Sequence, residues 1–306
     1  MTTKTQTTNL QDKLQRLGVS SITKICMGLL AAVPVVASIP AQALEVDILP
    51  KNAKLGDTIS VLIELESQDQ LGIPTVTVGE KTYPSFEIAP NKYRSFIPTT
   101  PLEKPGVRNV TVSGEGQRQR NMAVYVGDRQ FRIQRINLPP GKAGVRATEY
   151  ELTRVREFRS LQTPEKFWNG AFLTPNKGRM TTTYGVRRYY NGVFANDYYH
   201  RGLDYAGGAG SAVIAPAGGR VALVGTVSQG FKVHGNTVGI DHGQGVISIF
   251  LHLNRINVKE GDTVKPGQVI GTVGSTGAST GPHLHWGLYV NGQSIDPMPW
   301  KKQRMD

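Results

Sequence analysis

The chain has 306 residues, of which 39% are hydrophobic and 19% are charged. This hydrophobic content is sufficient for packed cores and excludes a largely disordered chain. No apolar run reaches the roughly 18–20 residues of an uninterrupted membrane span, which excludes a polytopic membrane protein. The 35 lysines and arginines outnumber the 23 acidic residues, and the net charge of +12 suits nucleic acid, acidic lipid or an anionic cell wall. A single cysteine excludes an intrachain disulfide.

Residues 1–43 have the order of an export signal. A basic segment ending at Lys24 precedes an apolar stretch over residues 25–39, and Pro40–Ala43 forms a small-x-small cleavage pattern. Cleavage after Ala43 would leave 263 residues with a charge of +9 and no cysteine, in the periplasm or cell envelope and without a stable membrane span. A retained single-span anchor is the alternative, although 15 residues are short for a span. Export favours a wall or envelope polymer as the partner, so no nucleic acid is expected.

Residues 44–140 are predicted to form an immunoglobulin-like β-sandwich. Ile59, Val61, Ile63 and Leu65 alternate with mostly polar residues, which is the period of a strand. Glycine and proline turn signals separate four further predicted strands. These strands are Thr75–Val78, Arg108–Val112, Met122–Val126 and Phe131–Ile136. The region contains no histidine, so no catalytic cluster is expected in it.

A connecting helical linker is predicted at residues 141–164, after the break at Pro139-Pro140-Gly141. Thr148 and Glu151 match a capping box, which predicts a helix over residues 147–161. Its predicted apolar face recurs every three residues, at Leu152, Val155, Phe158 and Leu161. We expect this helix to pack on one of the two flanking domains.

Residues 165–306 are predicted to form a compact antiparallel β domain with long loops. The region is rich in glycine and contains all six histidines. Three apolar runs indicate strands, and Val258–Ile270 is predicted to be a hairpin. The runs are Gly219–Val224, Asn236–Ile240 and Gly245–His252. His234 and His242 are placed in turn-like segments.

Two clusters carry metal-ligating side chains: His200 with Asp204, and His283 with His285. In extended segments, both pairs project to a common face. Neutral imidazole and carboxylate are the usual zinc ligands outside cysteine-based sites. Two histidines and one aspartate would leave a position open for water, which is typical of a catalytic zinc site. Spacing alone leaves open whether these residues bind metal or are ordinary structural residues.

Four motifs resemble those of the lysostaphin/LytM-type zinc metalloendopeptidases, in the same order, between about residues 170 and 300. They are Tyr199–Ala206, Gly235–Gly243, Phe250–Leu253 and Gly281–Trp286. The resemblance implies a hybrid β-barrel related to the lipoyl/biotinyl fold at residues 165–306, and therefore an all-β chain. It implies that His200, Asp204 and His285 are the zinc ligands. His283 and His252 would be catalytic residues that flank the metal without binding it.

The function implied by this resemblance is an exported zinc metalloendopeptidase that hydrolyses peptidoglycan stem or cross-bridge peptides through a water molecule activated by zinc. His283 would orient or deprotonate the water, and His252 would stabilise the oxyanion or assist the leaving amine. Two alternatives stay open: a non-enzymatic activator of other wall hydrolases, and a lipoyl/biotinyl-like binding module. The N-terminal β domain either docks the polymer or a partner, or covers the cleft. The scissile bond and the oligomeric state are not predicted.

Overall fold

The computed structural model describes residues 44–65, 72–114, 119–137, 145–303 and 305. The predicted signal at residues 1–43 and the predicted break at Pro139-Pro140-Gly141 lie outside the described residues. Within the described part, the fold is nearly all β with two α-helices, which confirms the predicted fold class. No helix in these ranges has the length and apolarity required to cross a membrane.

Two four-stranded antiparallel sheets form the N-terminal β region, with strand orders β1-β2-β6-β5 and β4-β3-β7-β8. Their strands are β1 (Leu44–Leu49), β2 (Thr58–Leu65), β3 (Thr75–Val78), β4 (Lys81–Tyr83), β5 (Ser85–Ala89), β6 (Lys92–Pro98), β7 (Gly106–Ser113) and β8 (Arg120–Val126). Strands β2, β3, β7 and β8 coincide with predicted strands, whereas β1, β4, β5 and β6 were not predicted.

One apolar core joins these two sheets. The predicted alternation in β2 buries four side chains, each at most 5% exposed: Ile59, Val61, Ile63 and Leu65. They share a cluster with Val110 and Val112 of β7 and with Val124 and Val126 of β8. Burying an aliphatic side chain contributes roughly 1.5–3 kcal/mol, so this shared cluster holds the sheets together. The paired sheets support the predicted sandwich, and its immunoglobulin-like topology stays a prediction.

Helix α1 spans Glu149–Arg159 and begins with the predicted capping box between Thr148 and Glu151. Val155 and Phe158 are buried against Leu223, Phe231, Ile247, Ile249 and Tyr289 of the C-terminal region. Leu152, predicted to lie on the same face, is 44% exposed. With 3.6 residues per turn, a three-residue repeat drifts around the helix, and Glu151 takes the buried position instead. Glu151 is 0% exposed.

The C-terminal region contains a ten-stranded sheet, whose main path is β10-β13-β20-β17-β16-β15-β18. Strands β14, β19 and β21 pair beside this path. The bounds are β10 (Arg179–Thr182), β13 (Leu203–Ala206), β14 (Ala212–Ile214), β15 (Gly219–Gly225), β16 (Asn236–Gly243), β17 (Val246–Ile256), β18 (Thr263–Val264), β19 (Val269–Val273), β20 (Leu284–Val290) and β21 (Gln293–Ile295), with helix α2 at Pro297–Lys302. The three predicted apolar runs are β15, β16 and β17.

The predicted hairpin at Val258–Ile270 is wrong. Strand β18 pairs with β15, whereas β19 pairs with β14 and β17. Only the turn between them remains, where the Gln268 amide donates to the Lys265 carbonyl oxygen at 3.1 Å. Val264 and Ile270 are at most 1% exposed, because each packs into the core alongside its separate partner strand.

A third, small sheet links the two halves of the chain, which are the N-terminal part and the C-terminal region. It has the order β12-β11-β9, with β9 (Ile133–Ile136) parallel to β11 (Arg187–Tyr190) and β12 at Val193–Phe194. Strand β9, which lies at a predicted strand, therefore pairs with a strand of the C-terminal region. The domain boundaries predicted at residues 140 and 164 stay predictions, and this pairing runs across them.

Side-chain contacts also cross between the halves. The ring of Phe96 in β6 lies 5.5 Å from that of Trp300 and 6.4 Å from that of Trp168. The guanidinium of Arg129 bonds to Asp57 at 2.6 Å and to Asp296 at 3.0 Å. Phe96 belongs to the same buried cluster as the tryptophans, so the C-terminal core includes an N-terminal side chain.

Candidate metal centre

Two neighbouring strands place the predicted ligands. Asp204 in β13 lies directly opposite His285 in β20 in the antiparallel register. His200 precedes β13, and its backbone is held by Val186, whose carbonyl oxygen accepts from the His200 amide at 2.9 Å. Leu284 and Trp286 flank His285 and are fully buried in the core, so the predicted alternation of this segment is confirmed.

The side chains of His200, Asp204 and His285 converge on one point. His200 Nε2 lies 3.0 Å and His285 Nδ1 lies 2.9 Å from Asp204 Oδ1, and the two nitrogens are 3.0 Å apart. Each residue is at most 8% exposed. One ligand atom from each lies within 4.8 Å of the others, which is the grouping a metal ion requires. The structure brings together the three predicted ligands, whose role stays a prediction.

The surroundings of these three residues fit a zinc ion. His200 Nδ1 donates to the Thr183 carbonyl oxygen at 2.9 Å, which directs the Nε2 lone pair towards the centre. Gly202 permits the close approach of β20: a Cβ there would lie 2.3 Å from the Trp286 carbonyl oxygen and 2.9 Å from His285 Nε2. Two imidazoles and one carboxylate match the donors of a three-ligand catalytic zinc site.

The charge states at the centre also suit metal binding. Burial by itself would raise the pKa of Asp204, but hydrogen bonds with His200 and His285 outweigh it and hold that pKa well below its usual range. Burial lowers the pKa of His285 to about 4, against the opposing effect of Asp204. At neutral pH, the site therefore offers an ionised carboxylate and a neutral His285 imidazole, the forms that bind metals.

His283 and His252 lie beside this centre. His283 Nε2 is 4.0 Å from Asp204 Oδ1, and its Nδ1 donates to the Gly281 carbonyl oxygen at 2.9 Å. His252 Nδ1 donates to the Thr276 carbonyl oxygen at 2.8 Å, and its ring lies 4.9 Å from that of His283. Burial, reinforced by the neighbouring histidines, lowers the pKa of His252 to about 3. In the neutral form, each ring with its proton on Nδ1 has a free Nε2 lone pair, and their predicted catalytic roles stay predictions.

His252 has a left-handed backbone, with φ of +63°. A residue other than glycine held in this region costs on the order of 1–3 kcal/mol, and such residues cluster at functional sites. The His252 amide donates to the His234 carbonyl oxygen at 3.0 Å, which ties this conformation to the loop before β16.

Helix α1 holds that loop in place through the side chain of Glu151. The buried carboxylate of Glu151 accepts from the backbone amides of Lys232, Val233 and His234 at 3.0, 3.1 and 2.7 Å, and it also bonds His234 Nδ1. Burial would raise the pKa of Glu151, but the bonds from His234 and Val233 lower it to about 2. The sequence indicated Glu151 only as a local helix cap, because its partners lie some 80 residues away along the chain.

The sequence predicted that His242 lies in a turn-like segment, and this prediction is wrong. It lies in β16, is fully buried, and bonds the Gly218 carbonyl oxygen at 2.7 Å and Ser248 Oγ at 2.8 Å. Burial lowers its pKa to about 4, opposed by the bond to Gly218. These two hydrogen bonds satisfy both ring nitrogens of a core histidine. His242 does not line the cleft that opens over the metal centre.

A cleft of about 620 Å³ opens over the centre. One wall comes from β9 and β11, with Gln134, Ile136, Arg188 and Tyr190 lining it, and Tyr198 adjoins them. Sequence reasoning missed this wall. The run Arg187–Tyr190 shortly before His200 carried a signal, because its alternation places one arginine and one tyrosine on each face of a strand.

Comparison with known proteins agrees with this geometry. Residues 198–297 match the model of peptidase family M23. A crystal structure from Pseudomonas aeruginosa, named as a peptidase M23, is 27% identical with a TM-score of 0.61, and the match covers 82% of this chain and 95% of that one. Residues 198–297 therefore form a peptidase M23 domain. This M23 domain, which spans the four motifs that resemble the lysostaphin/LytM-type enzymes, includes all five site residues predicted from the sequence.

Curated relatives of this M23 domain carry two kinds of name. The DD-carboxypeptidase/endopeptidase Mpg of Neisseria meningitidis is 43% identical over 99 residues, which are 32% of this chain and 22% of that protein. The murein hydrolase activator NlpD of Escherichia coli is 35% identical over 130 residues, which are 42% of this chain and 31% of that protein. The matches thus span less than a third of the relatives' own length.

Proposed function

We propose that this M23 protein is a zinc-dependent endopeptidase that hydrolyses peptide bonds in peptidoglycan stem or cross-bridge peptides. The observation that carries the proposal is the convergence of His200, Asp204 and His285 in an open cleft, with His283 and His252 beside them. A relative named as a DD-carboxypeptidase/endopeptidase supports the reaction class.

The chain's own residues supply binding and proton transfer. Zinc held by His200, Asp204 and His285 would polarise the peptide carbonyl and activate a water molecule for attack. In its neutral form, His283 has a free Nε2 lone pair, because its proton lies on Nδ1 and is donated to Gly281. We assign to it the removal of a proton from the attacking water.

His252 receives a more specific role from its tautomer. Its Nδ1–H is committed to Thr276, so the neutral ring has no proton on Nε2 with which to stabilise an oxyanion. It donates only after it has taken up a proton, and the proton that balances the reaction is the one His283 removes from the attacking water, passed between rings that lie 4.9 Å apart. A lowered pKa makes the protonated ring a ready donor. We therefore assign to His252 the delivery of a proton to the leaving amine, one of the two roles implied by the family resemblance.

The test measures zinc content and hydrolysis on the same preparations. Wild-type protein loaded with zinc should release new muropeptide termini from purified peptidoglycan, identified by mass spectrometry. His200→Ala, Asp204→Ala and His285→Ala should lose zinc and activity together. His283→Ala should keep zinc and lose most turnover, because it acts on the proton and not on the metal. Retained zinc in His285→Ala together with lost zinc in His283→Ala would contradict the assignment.

A second candidate is a non-enzymatic activator of other wall hydrolases, favoured by the relative named murein hydrolase activator NlpD. The complete set of three metal-ligating side chains argues for the enzyme. The two are distinguished by adding zinc-loaded protein to peptidoglycan with and without a purified amidase. Product formed without the amidase supports the enzyme, whereas product that appears only with it, and is unchanged in His283→Ala, supports the activator.

Export to the periplasm or cell envelope is part of the same proposal, since peptidoglycan lies outside the cytoplasmic membrane. It depends on residues 1–43, which resemble a signal peptide in sequence. N-terminal sequencing of the protein recovered from the envelope should begin at Leu44 if the signal is cleaved after Ala43. An intact N-terminus at Met1 in the membrane fraction would favour the retained anchor.

A further inference from the structure

The wall of the cleft formed by β9 and β11 carries an unneutralised cation. Arg188 lies in β11 and lines the cleft together with the metal centre. Its Nε donates to Gln134 Oε1 at 3.1 Å, and its Nη1 donates to the hydroxyls of Tyr198 at 2.7 Å and Tyr190 at 3.3 Å. All three acceptors are neutral. Among the described residues, no carboxylate forms an ion pair with Arg188.

The guanidinium is held in place and still has donors to offer. It lies over the ring of Tyr198, 5.4 Å from the centroid, and the half-buried side chain is fixed by three hydrogen bonds. Its Nη2 has no hydrogen-bond partner in the described part of the chain. A fixed arginine whose Nη2 is free suits an anionic acceptor such as a carboxylate, which can accept a charge-assisted hydrogen bond from it.

Arg188 stays charged in this setting. Burial lowers its pKa, but the Tyr198 and Tyr190 hydroxyls and the nearby Asp204 carboxylate outweigh burial, and the net shift is upward. Asp204 forms no ion pair with Arg188 among the described residues; its Oδ1 bonds His200 and His285 instead. Arg201, which stacks over the same Tyr198 ring at 5.9 Å, adds a second positive charge to this side of the cleft.

We propose that Arg188, framed by Tyr190 and Tyr198, is a binding site for a free carboxylate of the peptide substrate. This inference rests on the proposed function, because the anion must belong to whatever peptide occupies the cleft. It specifies the substrate class: stem peptides with a free carboxylate near the scissile bond are preferred over uncharged bridges and over amidated stem peptides.

The chain provides a matched control on the same sheet. Successive residues of a strand point to opposite faces. Gln134 lines the cleft, whereas its neighbour Arg135 is exposed and lies over Tyr189, 4.6 Å from the ring centroid. Arg135→Gln therefore removes one positive charge from β9 without touching the cleft wall.

The experiment uses zinc-loaded protein and a panel of synthetic stem peptides, each with one free carboxylate replaced by a carboxamide. For wild type and Arg135→Gln, amidation at one position should lower kcat/KM roughly 10-fold or more, the scale of a charge-assisted hydrogen bond. In Arg188→Gln, this ratio should fall to near one. Arg188→Lys should retain part of the preference, since it keeps the charge and loses the fixed guanidinium donor.

Each result has a distinct meaning. Equal cleavage of every peptide by wild type overturns the carboxylate site and leaves the endopeptidase standing. A preference that survives in Arg188→Gln, with a melting temperature like that of wild type, also overturns it. If wild type cleaves none of the peptides, the proposed reaction fails. Binding of the same peptides, measured by calorimetry, then tests the carboxylate site on its own. Tighter binding of the free carboxylate that is lost in Arg188→Gln supports the site, and equal binding of all peptides by wild type overturns it.

Discussion

Glu151→Gln is the sharpest probe of how α1 supports the cleft. The buried carboxylate accepts three backbone amides from the loop of Lys232–His234, in addition to the His234 ring. A glutamine keeps the size but loses the charge, and its NH₂ group would face amide donors. We expect Glu151→Gln to lower the free energy of unfolding at neutral pH.

The magnitude follows from the pKa of Glu151, which falls from an ordinary 4.5 to about 2. At about 1.4 kcal/mol per unit, the full shift corresponds to about 3 kcal/mol. The His234 side chain is 21% exposed, so solvent screening reduces the expected loss to about 2 kcal/mol. Because the folded pKa is depressed, this stabilisation is present above pH 4.5 and is lost as the pH falls towards about 2.

Urea denaturation at pH 7 and pH 3 measures the effect. Wild type should exceed Glu151→Gln by about 2 kcal/mol at pH 7 and by less than half of that at pH 3. The control is Glu149→Gln in the same helical turn, where the side chain is exposed and the expected change is below about 0.5 kcal/mol. Equal unfolding free energies for the two variants at pH 7 would refute the reasoning.

Three further predictions concern the metal centre, the buried core, and the junction in which β9 of the N-terminal part pairs with β11 of the C-terminal region. Gly202→Ala should weaken zinc affinity at least about 10-fold, measured by chelator competition, because the added Cβ would crowd His285. The control is Gly208→Ala, whose Cβ would have open space and should leave zinc affinity unchanged. His242 has a pKa of about 4 in the folded protein, so the free energy of unfolding should decrease as the pH falls below 6.5, by about 2 kcal/mol at pH 5. In His242→Gln, the urea midpoint should therefore fall less between pH 7 and pH 5 than it does in wild type. A chain starting at Gln162 lacks β9 and α1, and it should unfold at a lower temperature than one starting at Leu44; identical midpoints would contradict the described junction.

The parts of the fold that the sequence predicted are those that local patterns specify. The alternation in β2 and the capping box of α1 depend on neighbours within a few residues, and both are confirmed. The grouping of His200, Asp204 and His285 could be anticipated because the four motifs resemble those of a known family, and the resemblance implied these three positions as ligands. Their distances required the observed register, in which Asp204 lies opposite His285.

The parts that the sequence did not predict depend on distant partners. Glu151 is buried because a loop some 80 residues away presents amides to it. Val258–Ile270 has the pattern of a hairpin, yet its two strands satisfy their backbone groups with other strands. Arg188 becomes part of a wall only because β9 lies beside β11, a pairing between segments more than 50 residues apart.

The position of β9 constrains how such proteins exchange modules during evolution. From the sequence, a recombination event within residues 141–164 would be expected to leave both parts intact, since it falls between the two N-terminal sheets and the M23 domain. It would nevertheless bring a foreign β9 along with the foreign N-terminal sheets, and in this chain Gln134 and Ile136 of β9 line the cleft. Inheritance of the N-terminal module and of one wall of the substrate cleft is therefore linked, unless the crossover falls between Gly127 and Ile133.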